Sequence, residues 1–212
     1  TLAMKLGLLL FPSPRGSSQM AKMAEGMGFD SLVFADTQNI TPEVWGQLML
    51  AARDTERIEL GTGVTNPGTR DAAVTASAAL ALQVESNGRA VCGIGRGDSS
   101  LGKIGRGPVP VAEFELYVDR LQRYLAGEEV DRDGTPSRIE WHADANVPKV
   151  PLEIAATGKR VIELAARHAE HIVFAVGADE ERLARSIEIA RRAAQASGRD
   201  PDALRLGAWI NA

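Results

Sequence analysis

The sequence predicts an α/β protein of the (β/α)8 barrel class, the TIM barrel. Short apolar segments alternate with amphipathic ones along the chain, and their starts lie about 20 to 33 residues apart over most of its length. Strands that alternate with helices form parallel sheets through right-handed crossovers. Seven such units are more than a flavodoxin-like sheet holds, and they fit a barrel of eight units better.

The predicted strands are short and largely apolar, as strands are when both faces of a parallel sheet are covered. In chain order they are Lys5–Phe11, Ser31–Asp36, Ile58–Thr65, Ala90–Gly95, Leu152–Thr157, His171–Val176 and Leu204–Ile210.

Six segments between these strands place apolar residues at helical spacing. They are Ser17–Gly28, a helix opened by Thr41–Pro42–Glu43, Asp71–Ser86, Val111–Ala126, Lys159–His168 and Glu180–Ser197. We expect the Thr41 hydroxyl to cap the second helix, with Pro42 at its first position. The third helix should stop at Asn87–Gly88.

The interval between the fourth and fifth strands contains additional material. Asp98–Pro110 is rich in Gly and Pro and is expected to be a loop, whereas Val130–Trp141 is expected to be a hairpin that turns at Asp133–Gly134. No linker or shift in composition marks a second domain, so residues 1–212 are predicted to form one barrel domain.

The length is short for this fold, since 212 residues compare with about 250 in a typical (β/α)8 barrel. The pattern stops after its seventh strand. A barrel truncated after strand seven would leave strands one and seven as open edges that expose apolar faces. We therefore expect that the chain is truncated at its C-terminus, proteolysed or partly disordered, or that a partner chain covers the gap.

Composition excludes several functional classes. A net charge of −4 argues against a general nucleic-acid binder, and no apolar run approaches the roughly 18 residues of a membrane-spanning helix. The single cysteine, Cys92, allows no internal disulfide, and no leader peptide is recognisable, which favours a cytoplasmic protein. The three histidines do not combine with Cys92 in a metal-ligand spacing, so no metal site is predicted.

Active sites of parallel barrels lie in the loops that follow the strands. Here those loops are polar or rich in glycine, which lets a flat ligand or a phosphate approach the backbone. Thr157–Gly158–Lys159 adds a helix N-terminus and a cation, a plausible seat for an anion. The dinucleotide fingerprint fails, because Asp98 stands where the third glycine is required after Gly93 and Gly95.

Taken together, these loops make the chain similar to the bacterial luciferase-like family of flavin- or deazaflavin-dependent oxidoreductases, which are TIM barrels. The resemblance covers essentially the whole chain and is closest to the branch that uses coenzyme F420, a 5-deazaflavin, as methylenetetrahydromethanopterin reductase does. The segments that carry it are Gly28–Asp36, Thr55–Pro67, Asn87–Ser99, Pro151–Gly158 and Gly198–Pro201.

The resemblance implies a role for each loop. Asp36 and Thr37 would lie beside the ring of the cofactor, Gly63 and Val64 would form a bulge under it, often with a cis peptide, and Asn66 would contact the ring edge or the ribityl chain. Thr62 belongs to the same rim. The cofactor's side chain would run along Gly95, Arg96, Gly97 and Asp98, and its phosphate would bind Thr157, Gly158 and Lys159, with help from the loop at Gly177.

The resemblance also implies the chemistry, which comes from the cofactor. Bound F420 would give hydride transfer to or from a small organic substrate, whereas FMN, the alternative, would support monooxygenation with molecular oxygen. Many deazaflavin enzymes of the family have a histidine where this chain has Thr37, so Asp36, Gln38 or a group outside the chain must act as acid, if one is needed. Asp36 is the candidate catalytic residue. A non-catalytic flavin-binding or structural relative is a further alternative, and a homodimer is expected.

Overall fold

The computed structural model describes residues 4–210. Its strands are β1 (Gly7–Leu10), β2 (Ser31–Phe34), β3 (Glu59–Thr62), β4 (Ala90–Ile94), β5 (Val130–Arg132), β6 (Thr135–Ser137), β7 (Leu152–Ala156), β8 (His171–Phe174) and β9 (Arg205–Ala208). Its helices are α1 (Ser17–Gly26), α2 (Val44–Arg53), α3 (Ala72–Glu85), α4 (Asp98–Gly102), α5 (Val111–Leu125), α6 (His142–Ala145), α7 (Lys159–His168) and α8 (Glu180–Ala196), with a 3₁₀ turn at Pro201–Ala203.

Seven strands form one parallel sheet in the order β1-β2-β3-β4-β7-β8-β9. Strands β5 and β6 pair separately as an antiparallel hairpin between α5 and α6. The α/β class and the parallel order of the seven strands predicted from the sequence are confirmed.

The sheet is strongly curved. Four steps separate β3 from β9, which corresponds to about 19 Å in a flat sheet with strands about 4.8 Å apart. Nevertheless Nη1 of Arg205, at the start of β9, lies 2.8 Å from Oε2 of Glu59, at the start of β3. The strands therefore wrap around a common interior, as the staves of a barrel do.

The hydrophobic core lies between the outer face of this sheet and the helices. Alternate residues of a strand point to opposite faces, and in β7 Leu152, Ile154 and Ala156 are buried in the core, whereas Glu153 and Ala155 are partly exposed. In β7 the two faces thus differ in character, since the outer face is apolar and the inner face carries an ionisable and a small residue.

All seven strands and six helices predicted from the sequence are present, with shorter strands than predicted. Strand β3 ends at Thr62 because the chain then leaves the ladder, and Thr65 returns to it only as an isolated bridge to Ile94. The predicted stop at Asn87–Gly88 and the predicted turn at Asp133–Gly134 are confirmed, because all four of these residues have positive φ.

The predicted cap of α2 is wrong. Helix α2 begins at Val44, and its N-cap is Glu43, whose carboxylate accepts hydrogen bonds from the backbone N–H groups of Trp45 and Gly46. The Thr41 hydroxyl instead lies 3.3 Å from two carbonyl oxygens, those of Ala35 and Thr37. Thr41 therefore stabilises the preceding loop, and the helix begins two residues after Pro42.

The segment Asp98–Pro110, expected to be a loop, begins with the short helix α4. Gly97 has a φ of 89° and precedes this helix as its N-cap. Helix α6 and the 3₁₀ turn were also missed, since elements of three or four residues are too short to show a hydrophobic period.

Strands β1 and β9 stand at the two ends of the strand order, and within residues 4–210 no pairing joins them. Leu9 of β1 is 38% exposed. The extent of the domain and the truncation remain predictions. In the described part of the chain no helix is both long and apolar enough to span a bilayer.

Candidate functional site

The loops that follow the parallel strands meet at one rim of the curved sheet, where they form the candidate site. Asp36 follows β2, Val64 follows β3, Gly95 follows β4, Thr157 follows β7 and Gly177 follows β8. Parallel strands end at the same edge, so the topology places these five positions around a single opening.

Asp36 provides the most unusual polar group of the rim. Its side chain is 5% exposed, its Oδ1 lies 3.4 Å from Nη2 of Arg70, and its Oδ2 is buried without a hydrogen-bond partner. The same Nη2 lies 3.0 Å from Oε1 of Glu43, while Nε of Arg70 is buried and unpartnered. A buried acceptor without a donor costs free energy, so Oδ2 of Asp36 is available to accept a hydrogen bond from a ligand.

The peptide bond between Gly63 and Val64 is cis, as the family resemblance implied. The Val64 side chain packs across the interior of the sheet toward β4, because a Cβ on Gly95 would lie 2.8 Å from Cγ2 of Val64. The same Cβ would lie 3.9 Å from Cβ of Ala155 on β7. The small residues Gly95, just after β4, and Ala155, on β7, thus make room for Val64, which supplies an apolar surface at the rim.

A hydrogen-bond network joins the loops after β2, β3 and β4. Nδ2 of Asn66 donates to Oγ of Ser100 over 2.8 Å, and Oδ1 of Asn66 accepts from the backbone N–H of Gly68 over 3.0 Å. Nε2 of Gln38 donates to the carbonyl oxygen of Ser100 over 2.9 Å. Asn66 is fully buried and its bonds are used within the protein, so it shapes the site wall.

Thr62 also lies inside the wall. Its hydroxyl donates to the carbonyl oxygen of Gly93 over 2.6 Å and accepts from the N–H of Gly93 over 3.1 Å. This side chain ties β3 to β4 and leaves no polar atom for a ligand.

The segment Gly95–Asp98 is held from two sides. Nε of Arg96 donates to the carbonyl oxygen of Val109 over 2.7 Å, and the N–H of Val109 donates back to the carbonyl of Arg96 over 2.9 Å. A Cβ on Gly97 would lie 3.1 Å from Cβ of Asn66, so glycine allows this close approach. Asp98 is exposed at the start of α4.

Helix α7 begins with an open N-terminus. Gly158 is its N-cap and provides no side-chain hydrogen bond, and Thr157, Gly158, Lys159 and Arg160 are all exposed. Nζ of Lys159 lies 3.7 Å from Oε1 of Glu163. Unsatisfied N–H groups at a helix N-terminus beside two cations are suited to an anion such as phosphate.

Gly177 follows β8 with a φ of 74° and is exposed. By contrast with α7, the following helix α8 is capped, because Oδ1 of Asp179 accepts from the N–H of Arg182 over 2.9 Å. The anion seat at the rim is therefore better provided by α7 than by α8.

The predicted residues lie in loops that share one rim, and the loops after β2, β3 and β4 are joined by the hydrogen bonds of Gln38 and Asn66 to Ser100. Arg70, Glu43 and Ser100 were missed from the sequence. No sequence motif marks Ser100 or charged residues near helix starts such as Arg70 and Glu43. Their role depends on contacts across 27 to 62 positions of the chain.

The opposite end of the barrel interior holds a second ionisable group. Burial raises the pKa of Glu153 to about 7, against the attraction of Arg205, and the nearby carboxylate of Glu59 raises it further. Burial lowers the pKa of His171 to about 4, and the charge of Arg205 acts in the same direction. Both groups are therefore largely neutral at pH 6, an unusual combination for an acid and a base.

Nucleophilic and metal chemistry find little support in residues 4–210. Burial raises the pKa of the Cys92 thiol to about 12, so it is not a reactive thiolate. No group of three or more His, Cys, Asp or Glu side chains in this part of the chain is arranged to hold a metal ion.

Comparison with known proteins decides the family. The sequence profile described as "Luciferase-like monooxygenase" matches residues 6–211, almost the entire chain. The chain belongs to the luciferase-like monooxygenase family. The resemblance inferred from the loop motifs is confirmed.

Two curated relatives of this family member are oxidoreductases by name. It is 33% identical over 192 residues to a 5,10-methylenetetrahydromethanopterin reductase of Methanolobus tindarius, an alignment that covers 89% of this chain and 58% of the relative. It is 32% identical over 184 residues to an F420-dependent glucose-6-phosphate dehydrogenase of Beutenbergia cavernae, covering 80% and 55%. The chain thus spans little more than half the length of these relatives.

A solved structure shows the same fold. The coenzyme F420-dependent tetrahydromethanopterin reductase of Methanopyrus kandleri superposes with a TM-score of 0.81 at 24% identity, covering 97% of this chain and 65% of that one. At this identity the similarity concerns the fold, and it confirms that the seven strands of this luciferase-like chain follow the family's barrel.

Proposed function

We propose that this chain carries the cofactor-binding rim of an oxidoreductase that uses coenzyme F420 to transfer a hydride to or from a small organic substrate. The observation that carries the proposal is the buried Oδ2 of Asp36, which has no partner in the protein and lies at the rim. The relationship to reductases and to an F420-dependent dehydrogenase supports the choice of cofactor.

The rim suits a flat ring with a phosphate-bearing side chain. Val64 offers an apolar surface and Asp36 offers an acceptor at its margin, while after β4 Gly97 is partly exposed and Gly95 is buried against Val64. The uncapped N-terminus of α7 follows β7, which is the second strand after β3 in the order of the sheet. A phosphate bound there would accept hydrogen bonds from the free N–H groups of the helix. Three of the predicted residues shape the wall of the site, namely Thr62, Gly63 and Asn66. The proposed contacts to the cofactor are Asp36, Thr37, Val64, Gly95, Arg96, Gly97, Asp98, Thr157, Gly158, Lys159 and Gly177.

A bound deazaflavin would supply the hydride chemistry, since its reduced form donates hydride and reacts poorly with oxygen. The chain's own part is to orient the ring between Val64 and the loop that follows β2, and to exclude water from Asp36. The Asp36 carboxylate accepts a hydrogen bond from the ligand at Oδ2, and this contact makes it the proposed catalytic residue. Gln38, held by the carbonyl of Ser100, is the other polar side chain of that loop.

An FMN-dependent monooxygenase is the second candidate, favoured by the description of the family profile that the chain matches. In that case the rim would have the same contacts, and a separate reductase would supply electrons. A flavin-binding protein without turnover is the third candidate.

Titration with each cofactor tests the proposal. Trp45 lies at the start of α2, close to Glu43 and the Asp36 loop, and it provides an intrinsic fluorescence signal. We expect saturable quenching by the deazaflavin with a dissociation constant in the micromolar range or below, and weaker quenching by FMN. Quenching by FMN with no response to the deazaflavin would reject the proposal in favour of the second candidate. Tight binding without turnover of enones, imines or ketones would favour the third.

The substitution Lys159→Met tests the anion seat. We expect about two- to fivefold weaker binding of the phosphate-bearing deazaflavin, because one exposed cation at a helix N-terminus contributes about 0.3–1 kcal/mol. Binding of the phosphate-free deazariboflavin fragment should not change. The control is Lys22→Met on the exposed face of α1. Equal losses for both ligands would show that α7 does not hold the phosphate.

A cytoplasmic location and a homodimer are also proposed. The location agrees with a single, buried cysteine. The dimer agrees with two exposed apolar residues, Met23 of α1 and Met27, which follows α1. Light scattering coupled to size exclusion should give twice the mass of one chain, and a monomer at micromolar concentration would contradict the dimer.

A further inference from the structure

The guanidinium group of Arg70 occupies a position between two carboxylates of different character. Asp36 is 5% exposed and belongs to the rim, whereas Glu43 is 55% exposed and caps α2. Arg70 uses one nitrogen, Nη2, for both, at 3.4 Å and 3.0 Å respectively. It is therefore the group that compensates the charge of Asp36 in this part of the protein.

Arg70 is held in place from its own backbone. The next residue, Asp71, caps α3 through the N–H of Ala73 and forms a two-pronged ion pair with Arg132 of the hairpin, at 2.9 Å and 2.8 Å. Two parallel N–H···O bonds add directional constraint as well as attraction. The loop between β3 and α3 is thus fixed, and the Arg70 side chain projects toward Asp36 from a rigid base.

We propose that Arg70 is a positioning residue for the Asp36 carboxylate: it engages Oδ1 and fixes the orientation of the group, which leaves Oδ2 free to accept a hydrogen bond from an N–H or O–H group of the ring ligand. Without Arg70, Oδ1 would also lack a partner, and the carboxylate would turn toward other donors, because an unsatisfied buried acceptor costs free energy. The site then selects ligands with a hydrogen-bond donor at the ring margin. The inference rests on the proposed function of the rim.

Glu43 competes with Asp36 for the same nitrogen. Its carboxylate also accepts from the N–H groups of Trp45 and Gly46, at 3.2 Å and 2.7 Å, so it can release Arg70 and remain hydrogen-bonded. When a donor from the ligand reaches Oδ2 of Asp36, the guanidinium of Arg70 can move closer to Oδ1. The Nε of Arg70, which has no partner, can then form a second hydrogen bond to the carboxylate. Ligand binding thereby strengthens the Asp36–Arg70 pair.

A double-mutant cycle on cofactor affinity tests this role. Arg70→Met should weaken deazaflavin binding about tenfold, Asp36→Asn should weaken it to a similar extent, and the double variant should bind no more weakly than Asp36→Asn alone. Arg70→Lys, which keeps the charge, should recover part of the loss. Arg192→Met, on the exposed face of α8, is the matched control and should bind as the unchanged chain does.

The outcomes separate the two proposals. Binding of the deazaflavin by the unchanged chain together with unchanged affinity in Arg70→Met overturns the role of Arg70 and leaves the proposed function standing. Losses that multiply in the double variant also overturn it, because a merely structural Arg70 would act independently of Asp36. A folded chain that binds neither cofactor overturns the proposed function, and the role of Arg70 with it. Melting temperatures of all variants show whether each one is folded.

Discussion

Replacing Glu153 with Gln is expected to stabilise the protein by about 2 kcal/mol at pH 8 and to change its stability little near pH 4.5. The pKa of Glu153 rises in the folded protein from 4.5 to about 7. Between these values the unfolded chain releases a proton that the folded protein retains, so stability falls as the pH rises and the full penalty is present above pH 7. Glutamine keeps the shape of the neutral side chain and removes the penalty.

His171 has the opposite dependence. Its pKa falls in the folded protein from 6.5 to about 4, so its contribution is fully present above pH 6.5 and is lost as the pH falls toward 4. Between pH 4.5 and 6.5 the two effects oppose each other, and the unchanged protein should have a nearly flat stability profile there. In this range the stability of Glu153→Gln should rise with pH, because only the effect of His171 remains. The stability of His171→Gln should fall with pH, because only the effect of Glu153 remains.

Thermal melts at several pH values measure these effects. About 2 kcal/mol corresponds to roughly 4–8 °C for a chain of this size. The control is Glu140→Gln, an exposed carboxylate for which no gain is expected at any pH. A loss of stability in Glu153→Gln at pH 8 would show that the attraction to Arg205 outweighs burial, contrary to the prediction.

Replacing Gly93 with Ala is expected to destabilise the protein by more than about 3 kcal/mol, or to prevent folding. A Cβ on Gly93 would lie 1.9 Å from the carbonyl oxygen of Thr62 on the neighbouring strand. The Cβ would be fixed directly to the backbone of β4 and the oxygen belongs to the backbone of β3, so the two strands would have to separate. Separation would also break the two bonds of the Thr62 hydroxyl, at 2.6 Å and 3.1 Å.

The matched control is Gly26→Ala in α1, where the added Cβ meets no atom within 4 Å. It should be neutral or stabilise by up to about 1 kcal/mol, since alanine favours the helix. If Gly93→Ala does not fold, Thr62→Val still tests the same junction and should cost about 1–3 kcal/mol. A melting temperature for Gly93→Ala equal to that of the unchanged protein would refute the expected clash.

Local patterns predicted the elements well because their causes are local. The turn at Asp133–Gly134 and the stop at Asn87–Gly88 depend on residues that accept positive φ, and such residues are visible in the sequence. The cap of α2 was mispredicted because Thr41 and Glu43 are both suitable acceptors. The choice fell to Glu43 since the Thr41 hydroxyl contacts the carbonyls of Ala35 and Thr37.

The sequence by itself determined the alternation of strands and helices, the curved parallel sheet, the family and the loops of the rim, because hydrophobic period and glycine placement act over a few residues. Only the tertiary structure decided which polar groups meet. Arg70 reaches Asp36 across 34 positions and Arg205 reaches Glu59 across 146, and no spacing rule encodes such pairs. The ionisation of Glu153 and His171 and the free acceptor of Asp36 arise from burial and from those long-range neighbours, which exist only once the sheet has curved.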